Sequence, residues 1–356
     1  RQVIVDIIVG LQAGDEGKGK VTHHLLKEGN YTHCVRYNGG GNAGHTIYHD
    51  GKRFVTHHIP AGVFCGIKSI IGPGCVVNID KFFEEMKYLS QNGIDAWNLV
   101  HISKNAHVIQ SSHLEEDSKD KEIGTTKTGN GPCYRDKYNR KGLRAADFPE
   151  LEKYLIDFFM EMHYNEEPVV ALFEGAQGFQ LDIDWGDYPF VTSSHCTTAG
   201  ALLNGIPPSA VRNVWGVAKA YETYVGAKPF QDHDRDIFDR IQKVGKEFGA
   251  TTGRLRQCNW INLDSLHRAA KTNGVTHMII NKMDILRKVK AWEIKLNEDN
   301  HSKLMFSNEE TMKDYLRKSF PEVEISFSDN PETFEFDKDI TRTTHIKRSQ
   351  NDIGVL

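Results

Sequence analysis

The chain has 356 residues, 39% hydrophobic and 26% charged, and its 44 basic against 48 acidic side chains leave a formal charge of −4. That balance excludes bulk nucleic-acid binding, which shows as a basic excess, and no apolar run approaches the roughly 20 residues of a membrane span. Six cysteines are scattered without a C-x-x-C pair, which suits a reducing, cytoplasmic setting better than a disulfide framework or a zinc site.

Taken in order, Val3–Val9 reads as a buried strand that runs into a glycine-rich turn, with a helix over Lys18–Lys27. Thr32–Tyr37 reads as a second strand, ending in the loop Asn38–His45. Ile47–His49 and Arg53–Thr56 flank Asp50-Gly51, a hairpin signal. Short strands follow at Ser69–Gly72 and Val76–Asn78, a helix at Asp80–Asn92 and a strand at Leu99–Ser103. Residues 111–147 are polar and rich in Lys, Thr and Gly, which predicts a long functional loop. Phe148–Tyr164 has the spacing of one amphipathic helix. Val169–Phe173 reads as a buried strand, Asn213–Ala220 as another, Phe238–Phe248 and Trp260–Thr272 as helices, and Val275–Ile280 as a strand. Ala291–Leu296, a helix near Asn308–Lys318 and Val323–Phe327 complete the series. With no repeat or linker, the alternation predicts an α/β fold: a large, mainly parallel central sheet covered by helices on both faces, as a single domain over 1–356.

Residues 10–20, Gly-Leu-Gln-Ala-Gly-Asp-Glu-Gly-Lys-Gly-Lys, carry the strongest chemical signal. A strand, a glycine-rich turn and a helix make a phosphate cradle, because backbone N–H groups and the helix dipole converge on one concavity. Gly14–Lys20 fits the P-loop spacing, but Val21 stands where Ser or Thr would hold Mg²⁺. Asp15 and Glu16 are out of place in a pure phosphate cradle, so a carboxylate there points to Mg²⁺ binding or proton removal. Asn281-Lys-Met-Asp284 matches the N-K-x-D pattern that reads guanine, the aspartate accepting from N1–H and the 2-amino group. Thr251–Arg256 offers two arginines in a glycine-hinged loop, suited to a small dianion. In Asn42-Ala-Gly-His45 a backbone carbonyl could ligate Mg²⁺ and the imidazole could act on a phosphoryl oxygen. Gln177 sits in Glu174-Gly-Ala-Gln-Gly178 at a strand's carboxyl end, the usual crevice of open α/β sheets.

With these stretches in this order, the sequence resembles the adenylosuccinate synthetase family, through Gly10–Lys20, Gly40–Thr46, Ile123–Gly131, Phe173–Ser194, Glu247–Arg256 and Lys282–Asp284. The resemblance implies a cytoplasmic homodimeric ligase, in a host's cytoplasm if phage-encoded, that joins L-aspartate to a 6-oxopurine nucleotide with GTP and Mg²⁺. It casts Asp15, His45 and Gln177 as catalytic, with Asp15 and the Gly44 carbonyl on Mg²⁺. Asp15, Lys18, Asn42, Ala43, Thr126, Gln177, Thr192 and Arg254 match contacts to the nucleotide substrate, and Arg140 would reach the partner's site. Thr251, Thr252, Gly253, Arg254 and Arg256 would grip aspartate. Gly14, Glu16, Gly17, Lys18, Gly19, Lys20, Gly44, Thr46 and Arg256 would hold GTP, with Lys282 and Asp284 on its base.

This chain departs from the family pattern at several positions. Ala13 stands for a usual Trp, Thr128 for a usual Arg, Leu255 and Gln257 thin the arginine cluster, and Ser326–Asn330 replaces a Ser-Thr-Gly-Pro segment. The last change leaves ATP open beside GTP as donor. IMP is the expected acceptor, since phage relatives that use dGMP often lack the aspartate retained here as Asp15; dGMP stays as the alternative. A GTP-binding switch without ligase chemistry is the reading from another class, against which the arginine pair and the loop carboxylate argue.

Overall fold

The computed structural model describes residues 3–232, 236–249, 253–298 and 302–329. Among the described residues nine strands form the central sheet. In spatial order they are Glu324–Ser328, His277–Asn281, Val211–Lys219, Ile4–Gly10, Val170–Glu174, His33–Arg36, Lys68–Ile71, Val100–Ser103 and Leu155–Ile156. Every neighbouring pair is parallel. The strands read as nearly unbroken apolar runs because both faces are covered. Along Ile4–Gly10, Val5, Ile7 and Val9 enter one apolar cluster while Ile8 enters the other, as the two-residue period of a strand requires.

The chain begins mid-sheet. From Ile4–Gly10 it skips a place to His33–Arg36 and builds one side outward; Val170–Glu174 later fills the gap and the remaining strands build the other side. The order therefore reverses around Ile4–Gly10, and in such sheets the crevice at the strands' carboxyl ends is where ligands bind. The loops that leave Gly10, Arg36, Glu174, Lys219 and Asn281 all open at that end.

Most predicted elements lie where the pattern places them; three do not. Phe148–Tyr164 is a 3₁₀ segment at Pro149–Tyr154, a short strand at Leu155–Ile156 and a helix at Phe158–His163. The break comes where the Asp157 side chain accepts from the Met160 N–H and caps a new helix. Trp260 belongs to the strand Gln257–Asn262, and the helix starts after Asn262, whose side chain accepts from the Ser265 N–H. The stretch 111–147 holds helices at Ser111–Asp117 and Asn130–Tyr138, with the loop confined between them and after the second.

The helix Lys18–Glu28 starts after Gly17, which has φ 97°. A Cβ at Gly17 would stand 2.6 Å from the Asn281 Nδ2, whose amide donates to the Glu16 carbonyl at 2.7 Å. The two nucleotide motifs are thus packed against each other through this glycine. Gly17→Ala combines a left-handed backbone with a steric clash and should cost about 1–3 kcal/mol. A lowered urea midpoint checks this; an unchanged midpoint contradicts the packing described.

Candidate active site

The glycine-rich turn is held from inside by Glu16. Its carboxylate is fully buried, accepts from the N–H groups of Gln12 at 3.0 Å and Gly14 at 3.2 Å, and pairs with the Lys18 ammonium at 2.6 Å. The Glu16 side chain thus neutralises Lys18 and closes the turn, which leaves its backbone for the GTP contact expected of it. Asp15, at φ 59°, is turned the other way, its side chain 28% exposed and 3.1 Å from the Arg256 Nη2.

Two cavities meet at this turn. The first is lined by Asp15, Asn42, Ala43, Thr126, Gln177, Thr192 and Arg254, with Ala13 and Leu181 on its wall. The second is lined by Gly17, Lys18, Gly19, Lys20, Thr46, Arg256 and Lys282. Asp15, Lys18, Gly44 and His45 line both. A carboxylate, an ammonium, a carbonyl-bearing glycine and an imidazole therefore form the partition between two compartments.

The partition's neighbours are aimed but unpaired. His45 is buried and its Nε2 has no hydrogen-bond partner. Burial, then Arg36, Lys18 and His57, hold its pKa well below the usual histidine range, so it is a neutral N–H donor. Gln177 sits at φ 61°, buried, with neither amide atom hydrogen-bonded. Leaving both ends of a buried amide unmet is costly unless a ligand meets them. Asn38 fixes the two loops that carry these groups, exchanging hydrogen bonds of 2.8 and 3.2 Å with the backbone of Ala176. The amide of Asn42 reaches Thr192 at 3.4 Å.

The arginine pair divides between the compartments. Arg254 lines the first and donates to the Gly124 carbonyl at 2.9 Å. Arg256 lines the second. Gly253 has φ 69°; Thr251 and Thr252 lie outside the described residues. Arg140 is exposed just past the helix Asn130–Tyr138 and lines neither cavity of its own chain.

The base end of the second cavity differs from the motif reading in detail. The Lys282 ammonium does not float over open space: it donates to Glu247 and to the Gly245 carbonyl, each at 3.0 Å. Asp284 has a buried Oδ1 without a hydrogen-bond partner, and burial with Asp329 nearby raises its pKa. Asp329, in the segment that departs from the family pattern, lines the cavity, whereas Asp284 does not. Burial lowers Lys20 to about 8.

A buried ionic hub behind the partition was not foreseen. Glu247, fully buried, receives Lys219 at 3.0 Å, Tyr221 at 3.2 Å, Arg256 at 3.0 Å and Lys282 at 3.0 Å. Burial alone would raise its pKa; Lys219, Lys282 and Arg256 overcome that and bring it down to about 2. The one sequence signal was Lys219, a charge closing the apolar strand Val211–Lys219.

Among the described residues no group of three or more His, Cys, Asp or Glu could cage a metal. Asp15 and the Gly44 carbonyl are hard oxygen donors on one wall, which fits Mg²⁺ held by one carboxylate and substrate phosphates.

The geometry defines a class: an enzyme that transfers a phosphoryl group between a nucleotide and a second bound substrate across a shared wall. A family model described as adenylosuccinate synthetase matches residues 7–167 and 149–315. The adenylosuccinate synthetase of Shouchella clausii is 40% identical over 341 residues, covering 81% of this chain and 79% of the relative. That of Brugia malayi is 40% identical over 335 residues, covering 79% and 77%. The fully ligated enzyme of Plasmodium falciparum superposes with a TM-score of 0.82 at 26% identity, over 93% of this chain and 99% of that one. The succinoaminodeoxyadenylate synthetase of cyanophage S-2L shares the fold, with a TM-score of 0.76 at 20% identity over 97% and 98% of the two chains. The chain belongs to the adenylosuccinate synthetase family. It is a carbon–nitrogen ligase that joins L-aspartate to a 6-oxopurine nucleotide at the expense of GTP. No described helix is long and apolar enough to cross a membrane.

Because Glu247 titrates near 2 when folded and near 4.3 when unfolded, the unfolded chain takes up its proton first as pH falls. The hub's contribution is therefore complete above about pH 5 and fades toward pH 2. Glu247→Gln should cost about 3–5 kcal/mol at neutral pH and flatten the acid side of the stability–pH curve. A wild-type slope in that variant contradicts the hub.

Proposed function

We propose that the chain makes adenylosuccinate from IMP, GTP and L-aspartate, with IMP in the first cavity and GTP in the second. The observation that supports this most is the shared wall: among the described residues, Asp15 is the one carboxylate that lines both compartments. On this reading Asp15 accepts the N1 proton of the purine, and the charge passes to O6. O6 then takes the γ-phosphoryl group and GDP leaves. The amine of aspartate attacks C6, the C6–O6 bond breaks, phosphate departs with O6 and the proton shed by the amine, and Asp15 returns its proton to solvent.

The other residues bind and orient. The Gln177 amide meets the base, Asn42, Ala43, Thr126 and Thr192 meet the rest of the nucleotide, and neutral His45 donates to the transferring phosphoryl group. Gly14, Gly17, Lys18, Gly19, Lys20 and Thr46 hold the triphosphate, a positioning and charge-neutralising task. Asp15 and the Gly44 carbonyl would hold Mg²⁺, which when bound neutralises phosphate charge. Thr251, Thr252, Gly253, Arg254 and Arg256 take the aspartate carboxylates; Lys282 and Asp284 take the guanine. A homodimer in which Arg140 completes the partner's acceptor site, a cytoplasmic setting and a single functional unit over 1–356 belong to the same proposal.

Asp15→Asn should lower kcat by about 10²–10⁴ while IMP affinity, measured by titration calorimetry, stays within a small factor. Turnover near wild type would remove Asp15 from the chemistry. Arg254→Leu should raise the KM for aspartate more than it lowers kcat, and an unchanged KM contradicts its role. A product assay with aspartate, GTP or ATP, and IMP or dGMP tests acceptor and donor together. Succinylated product from IMP with GTP is expected; product from dGMP alone overturns the acceptor, and nucleotide hydrolysis without any C–N product favours a switch.

A further inference from the structure

Glu247 lines neither cavity, yet it is bonded to groups that line the second. Its Oε1 accepts both the Arg256 Nη1 and the Lys282 Nζ, each at 3.0 Å. Arg256 continues from there to Asp15 at 3.1 Å, and Lys282 closes the turn after the strand His277–Asn281. Two cations that line the donor cavity thus share one carboxylate oxygen, while Lys219 and Tyr221 bond to the other.

The backbone around Glu247 is tied to the arginine loop as well. The Arg256 N–H donates to the Glu247 carbonyl at 3.0 Å, the Gly249 N–H to the Arg254 carbonyl at 2.7 Å, and Phe248 bridges Leu255. The Gln242 side chain clasps the Arg256 carbonyl at 2.7 Å. The arms that lead to Thr251 and Thr252 are therefore set by the same residue that anchors Lys282.

Resting on the ligase reading above, we infer that Glu247 is a positioning residue that couples donor binding to aspartate binding. A donor that fixes Lys282 fixes the carboxylate, and with it Arg256 and the base of the arginine loop. The placement of Arg256 that aspartate binding needs is then already set, and the effect is reciprocal because coupling between two binding sites is symmetric.

The test uses GDP, which has no phosphoryl group to transfer, with IMP and Mg²⁺ saturating. Its affinity is measured by calorimetry with and without saturating L-aspartate. In the wild type aspartate should tighten GDP by about 5-fold or more, the lower end of typical coupling. In Glu247→Gln that ratio should fall to about 1, as expected when no coupling remains. Lys282→Met keeps the hub's other partners and answers the question if Glu247→Gln does not fold. It weakens GDP itself, but its diagnostic effect is loss of the aspartate-dependent ratio, which a merely structural role would leave in place. A ratio near 1 in the wild type, or a wild-type ratio in Lys282→Met, overturns the inference. Coupled binding in a chain that forms no C–N product overturns the ligase reading and leaves this one standing.

Discussion

The inward-folded carboxylate of Glu16 is the constraint on which the site depends. A turn of glycines and lysines beside a helix N-terminus attracts anions but does not fix its own shape. By accepting two N–H groups of the turn and the Lys18 ammonium, Glu16 supplies the shape and cancels a charge in a place without water. A buried carboxylate is tolerated only when so paired. Its neighbour Asp15 then has nowhere to go but outward, onto the wall between the two cavities. Adjacent acids in one motif thus divide into a scaffold and, on the proposed mechanism, a reagent.

The fold places that wall by topology. Because the sheet order reverses around Ile4–Gly10, the loops after Arg36 and Glu174 flank it on one side and those after Lys219 and Asn281 on the other. Gln12 ties its turn to Lys219 through two hydrogen bonds of 3.1 and 3.0 Å, and Asn281 ties to the same turn from the next strand. The first cavity draws on Gln177 and the second on Lys282, His45 lines both, and the hub of Glu247 lies behind the second. Five segments far apart in sequence become one apparatus because each leaves the same edge of a parallel sheet.

What the sequence revealed follows from which interactions are local. Strands such as Val170–Glu174 and the turn at Gly14–Lys20 announce themselves through apolar runs and glycine spacing, so the sheet and the glycine-rich turn were legible. The direction of a side chain is not local: nothing in Asp15-Glu16 says which acid turns inward until Gln12 and Lys18 are placed. The break at Asp157 was hidden by continuous apolar spacing from Phe148 to Tyr164. Glu247 was invisible because its partners, Lys219 with Tyr221, Arg256 and Lys282, come from three separate stretches, and a charge closing a buried strand looks the same whether it meets solvent or a counter-ion.

The central claim is that Asp15 makes the purine O6 a nucleophile toward the γ-phosphate of GTP. IMP labelled with ¹⁸O at position 6 tests it most directly, through mass analysis of the phosphate released with the product. The account predicts that the label appears in that phosphate in step with C–N bond formation. Unlabelled phosphate released in step with product would contradict it.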